Sequence, residues 1–350
     1  MLEDKNQKPV SEISELGEFG LIKHLTENIQ LQNKSSVKGI GDDAAVLAFK
    51  NKHVLVTTDM LVEGVHFDLL YTPLKHLGYK AVTVNLSDIY AMNGSPQQIT
   101  VSIAVSNRIS IEALEELYEG MRLACEIYGV DLIGGDTTSS LSGLIISITA
   151  IGEAEKKEIV YRNGAKENDL ICVSGDLGGA FMGLQLLERE KKIFAENPNI
   201  QPDFSGHDYV LERQLKPEPR KDVIDMFKEI GIKPTAMIDV SDGLSSDLIH
   251  ICNESKVGCA IYEDKIPIDF TAINLANDLN LDATVSALNG GEDYELLFTI
   301  SLDDYNKIKD SKRVAVIGHI TSSEGDYQII DKNDVVHKLV AQGWDAISKQ

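Results

Sequence analysis

The sequence predicts a mixed α/β, or α+β, protein built as two domains, on three observations. Apolar runs of strand character alternate with helix-spaced amphipathic segments, which excludes a helical bundle. A chain of 350 residues is long for one hydrophobic core and comfortable for two. A charged link, Glu153 to Glu158, separates two such sets of elements, so the domains are placed at residues 1–154 and 155–350.

Leu16, Phe19, Ile22, Leu25 and Ile29 recur at helical spacing and predict a helix over Glu15 to Gln30. The stretch Gly39 to Phe67 follows. Asp42 and Asp43 leave a Gly-Ile-Gly turn, Ala44 to Phe49 and His53 to Val56 are apolar, and Lys50-Asn51-Lys52 lies between them; the pattern predicts a β-hairpin. Leu77, Ala81, Val84, Ile89 and Met92 predict a helix from Pro73 to Met92, ended by Asn93-Gly94-Ser95-Pro96. Asn85-Leu86-Ser87-Asp88 is a polar group inside this otherwise apolar segment. Gln98 to Ser106 alternates as a strand, and Ile111 to Tyr128 is an amphipathic helix stopped by Gly129. Asp131 to Thr138 predicts a strand ending in a Gly134-Gly135 turn and Asp136, and Leu144 to Gly152 a further strand.

Past the link, Asp169 to Ser174 is a strand, and Gly175-Asp176-Leu177-Gly178-Gly179 opens a helix reaching Leu187. Glu188 to Phe204 has weak periodicity and reads as a surface excursion. Lys221 to Ile230 is a helix, Ala236 to Val240 a strand, and Ser241-Asp242-Gly243 opens a helix to about Glu254. Cys259 to Glu263, Tyr294 to Ile300 and Val314 to Ile320 are further strands.

Composition narrows the function. Hydrophobic residues make up 43% and charged residues 25%, as in an ordinary globular protein, but the net charge is −22. So acidic a surface excludes nucleic acid as a partner, because phosphate binding needs a basic one. A nucleotide remains possible where divalent cations bridge the two sets of negative charge. The four cysteines form no C-x-x-C pair, no apolar run reaches membrane-spanning length, and the default compartment is a reducing cytoplasm.

The acids that end apolar runs or sit beside glycine are Asp42/Asp43, Asp59, Asp88, Asp136 and Asp239/Asp242. Any one of them is most simply a turn former or helix cap. Together, with Thr57, Thr58 and Ser241 beside them, they suit Mg²⁺, which takes oxygen ligands and is often held by scattered carboxylates plus substrate phosphates. On physical grounds Asp42 and Asp43 are equivalent candidates. Ser241 either caps its helix or leaves the helix end open to a phosphate. Arg162 is a solvated residue or a bidentate phosphate donor, and His66 a structural imidazole or a ligand contact. Glu292 follows a Gly-Gly turn, and Trp344, the only tryptophan, is a packing anchor or a stacking surface. No P-loop, protein-kinase set or G-x-S-x-G elbow occurs.

Gly17-Glu18-Phe19, GIGDDAAV, TTDMLVEGVHF, NLSDIYAMNGSP, LIGGDTT, DVSDGLSSDL and NGGEDYELLFT run through almost the whole chain. With these motifs the chain resembles the thiamine-monophosphate kinase family. That family lies in an ATP-binding superfamily with aminoimidazole ribonucleotide synthetase, selenophosphate synthetase and a hydrogenase-maturation protein. The resemblance implies the synthetase-like architecture: an N-terminal mixed sheet with helices and a C-terminal α/β sandwich. It also implies dimerisation through the N-terminal domains, with ATP near that interface. The implied reaction is direct in-line phosphoryl transfer from ATP to thiamine monophosphate, giving thiamine diphosphate and ADP with several Mg²⁺ ions and no phosphoenzyme. By the same resemblance Asp43, Thr57, Thr58, Asp59, Asp88, Asp136 and Asp239 hold Mg²⁺, and Asp242 a further ion. Tyr118, Gly135, Asp136, Arg162 and Ser241 contact ATP. His66, Glu292 and Trp344 contact thiamine monophosphate.

The residues agree with that chemistry. The acceptor phosphate is already anionic, so no covalent or general-base residue is expected; positioning and cation clamping carry the acceleration. Two alternatives stand beside it. One is another ATP-dependent synthetase of the superfamily, of ribonucleotide or selenophosphate type. The other is a non-catalytic cation- or nucleotide-binding protein.

Overall fold

The structure is a computed structural model that describes residues 24–38, 46–50 and 52–342. It divides into two compact units. The first comprises Met1–Asn85 with Pro96–Gly152, the second Leu86–Ser95 with Glu153–Gln350. Most of the helix expected over Glu15 to Gln30 lies outside the described residues; from His24 the chain is helical through Thr26 only.

In chain order the first part of the molecule holds β1 (Ser36–Lys38), β2 (Val46–Leu47), β3 (His53–Val62), α1 (Leu74–Ala91), β4 (Ser95–Val105), α2 (Ile111–Tyr128), β5 (Asp131–Ser139) and β6 (Ile145–Ala154). The four longer strands form one sheet in the order β3-β6-β4-β5, with β4 and β5 parallel. Among the described residues the expected hairpin between Ala44–Phe49 and His53–Val56 does not form. β2 pairs with β1, antiparallel, and β3 lies beside β6. Lys50-Asn51-Lys52 offers no Asn-Gly or Gly-X pair to close a tight reversal, and β6 is a ten-residue partner that alternates buried and half-buried positions throughout. Nor does β5 turn at Gly134-Gly135: its pairing shifts register at Ile133 and the strand continues to Ser139. The glycine serves close packing, because a Cβ at Gly135 would collide with the Val101 carbonyl of the adjacent strand.

α2 begins at Ser110, whose hydroxyl accepts the Ala113 N–H at 3.2 Å, and stops at Gly129 in the left-handed region, φ 69°. It crosses α1 at van der Waals distance between backbones, since a Cβ at Gly78 would strike the Leu117 carbonyl and one at Gly120 the Lys75 carbonyl. Along β3, Leu55 and Leu61 are buried, whereas Val56 and Met60 on the other face are 66% and 55% exposed. This edge strand therefore presents an apolar outer face.

The second unit is built on a seven-stranded sheet. Its elements are β7 (Leu170–Ser174), α3 (Gly179–Glu196), α4 (Asp208–Leu215), α5 (Lys221–Ile230), β8 (Ala236–Asp239), α6 (Leu244–Ser255), β9 (Gly258–Tyr262), α7 (Phe270–Asp278), α8 (Ala283–Asn289), β10 (Leu296–Ile300), α9 (Tyr305–Ile308), β11 (Val314–Thr321), β12 (Tyr327–Ile330) and β13 (Val336–Lys338). The strand order is β13-β12-β9-β11-β7-β10-β8. β12 and β9 are parallel; the other described pairs are antiparallel. Its main core gathers Ile171, Val173, Ile238, Leu248, Ile261, Leu297 and Ile317 between sheet and α6.

The surface excursion expected over Glu188 to Phe204 is helical for its first half, as α3 continues to Glu196. Glu190 is buried there, ion-paired with Arg189 at 2.7 Å, and accepts the Asp203 N–H at 3.1 Å. A charged residue with its charge satisfied continues the helix as readily as an apolar one.

Candidate active site

In the first unit Thr57, Thr58, Asp59 and His66 lie on or just after β3, whereas Gly135 and Asp136 lie on β5, at the opposite edge of the sheet. Alternation puts Thr57 and Asp59 on the same half-buried face as Leu55 and Leu61. Asp59 is held by its main chain: its N–H donates to Asn85 Oδ1 at 3.0 Å, and Asn85, buried on α1, donates through Nδ2 to the Ala81 carbonyl at 3.0 Å. Thr58 points to the opposite face. Its hydroxyl donates to the Ile148 carbonyl at 3.0 Å and lies 3.2 Å from Thr149 Oγ1. Any contribution of Thr58 to the Asp59 end therefore comes from its main-chain carbonyl.

A tight turn follows β3. Gly64 supplies φ 81°, its N–H donates to the Phe67 carbonyl at 2.8 Å, and Phe67 is buried. His66 is half-buried on this turn, and its Nδ1 accepts the Val62 N–H at 3.1 Å. The neutral ring accordingly carries its proton on Nε2. Gly135 and Asp136 lie in the exposed second half of β5. Tyr118 is half-buried on α2, where burial pushes its phenol up to about 12. None of the hydrogen bonds described joins Tyr118 to Asp136.

In the second unit the last turns of α1 meet the end of β8. Ser87 donates to Asp239 Oδ2 at 2.6 Å, and both residues are buried, with Asp88 adjacent in sequence. β8 then enters Ser241-Asp242-Gly243. Gly243, at φ 111°, is the residue before α6, and no side chain caps the helix, so Ser241 is not its cap. Asp242 instead donates its N–H to Asp247 Oδ2 at 3.2 Å. Burial, and then the charges of Asp239 and Asp242, push the Asp247 carboxyl up to about 8. Asp247 has no role in the sequence reading; its signal was the last acid of DVSDGLSSDL. Arg162 is exposed, and its carbonyl accepts from Ser255 Oγ at 3.4 Å, at the opposite end of α6 from Ser241.

The Gly290–Glu295 loop lies against the same turn. Glu292 and Tyr294 donate their N–H groups to the Ser241 and Val240 carbonyls, each at 2.9 Å, and Val240 returns one to the Glu295 carbonyl at 2.7 Å. A Cβ at Gly291 would collide with the Ser241 carbonyl, which explains the glycine. Glu292 and Tyr294 take φ 67° and 52°, left-handed conformations that side chains adopt at some cost.

The three acids of this loop divide their work. Asp293 is buried and accepts the Gly178 and Ala180 N–H groups at 2.7 and 3.1 Å; burial holds its carboxyl up at about 6. Main-chain N–H groups at the start of α3 are thus taken by an internal carboxylate. Glu295 takes Arg213 at 2.9 Å, and Arg220 and Ser174 each at 2.5 Å. Glu292 accepts from Gln214 Nε2 at 2.7 Å. Asp43 and Trp344 lie outside the described residues.

Among the described residues no group of three or more His, Cys, Asp or Glu is arranged to hold a metal ion. The donors are nevertheless of the right kind. The charges of Asp239 and Asp242 both act on Asp247, and every donor named is an oxygen, as a hard divalent cation requires.

A family model described as AIR synthase related protein, N-terminal domain, matches residues 41–154. The thiamine-monophosphate kinase of Bacillus subtilis is 38% identical, covering 84% of this chain and 86% of its own. The thiamine-monophosphate kinase structure from Stenotrophomonas maltophilia is similar with a TM-score of 0.77 and 31% identity, covering 91% of this chain and 98% of that one. The structure of AaThiL complexed with AMPPCP and TMP has a TM-score of 0.74 and 31% identity, covering 98% and 100%.

Proposed function

The chain belongs to the thiamine-monophosphate kinase family, and on that premise we propose how its residues serve the ATP-dependent phosphorylation of thiamine monophosphate to thiamine diphosphate. The observation that carries the site assignment is the 2.9 Å bond from Glu292 N–H to the Ser241 carbonyl. It makes neighbours of a residue assigned to the acceptor and one assigned to ATP.

Ser241, with the uncapped start of α6, takes a phosphate of ATP. Tyr118, Gly135, Asp136 and Arg162 are further ATP contacts. His66 donates from Nε2 to the phosphate of thiamine monophosphate, because Nδ1 is already an acceptor. The Glu292 carboxylate faces the cationic thiazolium, and Trp344 stacks on a flat ring. In the first unit Asp43, Thr57, Thr58, Asp59 and Asp136 would hold Mg²⁺, and in the second Asp88, Asp239 and Asp242, with Asp247 bonded to the Asp242 main chain. Bound there, Mg²⁺ neutralises the charge of the two reacting phosphates. The protein residues hold donor and acceptor in line, and no side chain needs to remove a proton.

The active form is a homodimer joined through the outer face of the N-terminal sheet, a reading supported by exposed Val56 and Met60 on edge strand β3. The cytoplasm is the proposed compartment: all four cysteines are free and buried, and among the described residues no helix is long and apolar enough to cross a membrane. The test is to incubate the purified protein with ATP, Mg²⁺ and thiamine monophosphate and to assay thiamine diphosphate. ATP binding without product would refute the reading in favour of a non-catalytic protein. Turnover only with a ribonucleotide acceptor would favour the synthetase alternative.

A further inference from the structure

We propose that Gln214 is a positioning residue for the acceptor site: it fixes the direction of the Glu292 carboxylate without adding a charge of its own. The inference rests on the reading that Glu292 contacts thiamine monophosphate.

The loop's main chain is sewn to Val240 and Ser241, which fixes the Glu292 Cα but leaves its side-chain torsions open. Gln214 closes that freedom. Its Nε2 donates to Glu292 Oε2 at 2.7 Å, and Gln214 itself is 5% exposed near the end of α4. α4 is in turn rigidly seated. Its Val210 packs with Met182 and Leu186 of α3, and a Cβ at Gly183 of α3 would strike the Val210 carbonyl.

The preceding residue, Arg213, grips the same loop. It bonds Glu295 at 2.9 Å and the Asp176 carbonyl at 3.0 Å, and lies 3.4 Å from Asp293. One turn of α4 thus serves all three acids of the loop, with two kinds of donor. Asp293 and Glu295 receive a guanidinium, which offsets their charge inside the unit. Glu292 receives a neutral amide, which orients a carboxylate without itself cancelling the charge that a cationic ring would meet.

The experiment measures steady-state KM for each substrate, and Tm, in Gln214→Met, Glu292→Gln and the double variant. Gln214→Met should raise the KM for thiamine monophosphate roughly tenfold, the size of one hydrogen bond to a charged group, and leave the KM for ATP unchanged. In the Glu292→Gln background the same change should add nothing further. An equal rise in both backgrounds, or a fall in Tm with both KM values unchanged, would mean a merely structural glutamine and overturn the proposal. If Glu292→Gln itself leaves the acceptor KM unchanged, the reading of Glu292 fails and the proposal with it. If only Gln214→Met is silent, the proposal fails alone. Should Gln214→Met not fold, Gln214→Lys replaces it, keeping a donor while adding a positive charge. It should weaken acceptor binding at least as much, and a wild-type acceptor KM would contradict the role.

Discussion

Glu292 donates its main-chain N–H to the carbonyl of Ser241 at 2.9 Å, so the loop assigned to the acceptor and the turn assigned to ATP are one hydrogen-bonded piece. Gly291 makes the approach possible, because a side chain there would meet that same carbonyl. Gly291→Ala should push the two apart and raise the KM for both substrates. The accompanying loss of stability should be about 1–3 kcal/mol, as for other overpacked sites. Steady-state kinetics against each substrate and a urea midpoint check this. A change in one KM alone would mean that the two strands of chain move independently.

Asp59 is anchored through its main chain to Asn85, a bond that survives replacement of its side chain. Asp59→Asn should therefore keep its Tm and lose on the order of hundredfold or more in kcat, the cost of removing one charge-stabilising group at a transition state. Near-normal turnover would remove Asp59 from the site.

His66 has two jobs that one substitution separates. Nδ1 accepts the Val62 N–H at 3.1 Å, and Nε2 is assigned to the acceptor phosphate. His66→Ala should cost about 1 kcal/mol of stability for the lost acceptor and raise the thiamine monophosphate KM well above any change for ATP. Equal shifts in both KM values would mark the ring as structural only.

Asp293 makes stability depend on pH. Burial holds its carboxyl at about 6, above the ordinary 3.8, against the pull of Arg213 and of the Gly178 and Ala180 N–H groups. A carboxyl raised in the folded state favours folding when protonated. Its contribution is fully present below about 3.8 and is lost as pH rises through about 6. Asp293→Asn, which cannot ionise, should flatten the urea midpoint over that window; an unchanged slope would assign the pH dependence to other groups.

Much of the fold was legible because local signals agreed with one another. Ile111 to Tyr128 carries an apolar stripe, a serine cap and a glycine stop, and it forms that helix end to end. The errors arose where tertiary pairing overrode local pattern. β2 and β3 read as hairpin partners, but β3 belongs beside β6, some ninety residues away, as the Thr58–Ile148 bond illustrates. Gly134-Gly135 read as a turn because a glycine pair that permits close strand packing looks the same in one dimension. Short helices such as α4, α7 and α8 carry too few turns to show a period.

Candidate acids could be named from their glycine and hydroxyl neighbours, but not their partners. Gln214 and Glu292 are 78 residues apart, and Ser87 and Asp239 are 152 apart. Nor does spacing reveal that Asp293 fills the start of α3 while Glu292, one residue earlier, turns elsewhere.

The proposed reaction is direct transfer of the terminal phosphate of ATP to the phosphate of thiamine monophosphate, with no phosphoenzyme. It is tested most directly by following the terminal phosphate of γ-labelled ATP through a single turnover with Mg²⁺ and thiamine monophosphate. The label should appear in the terminal phosphate of thiamine diphosphate at the rate at which ADP forms, with none retained on the protein. Labelled protein, or label released as inorganic phosphate without thiamine diphosphate, would contradict it.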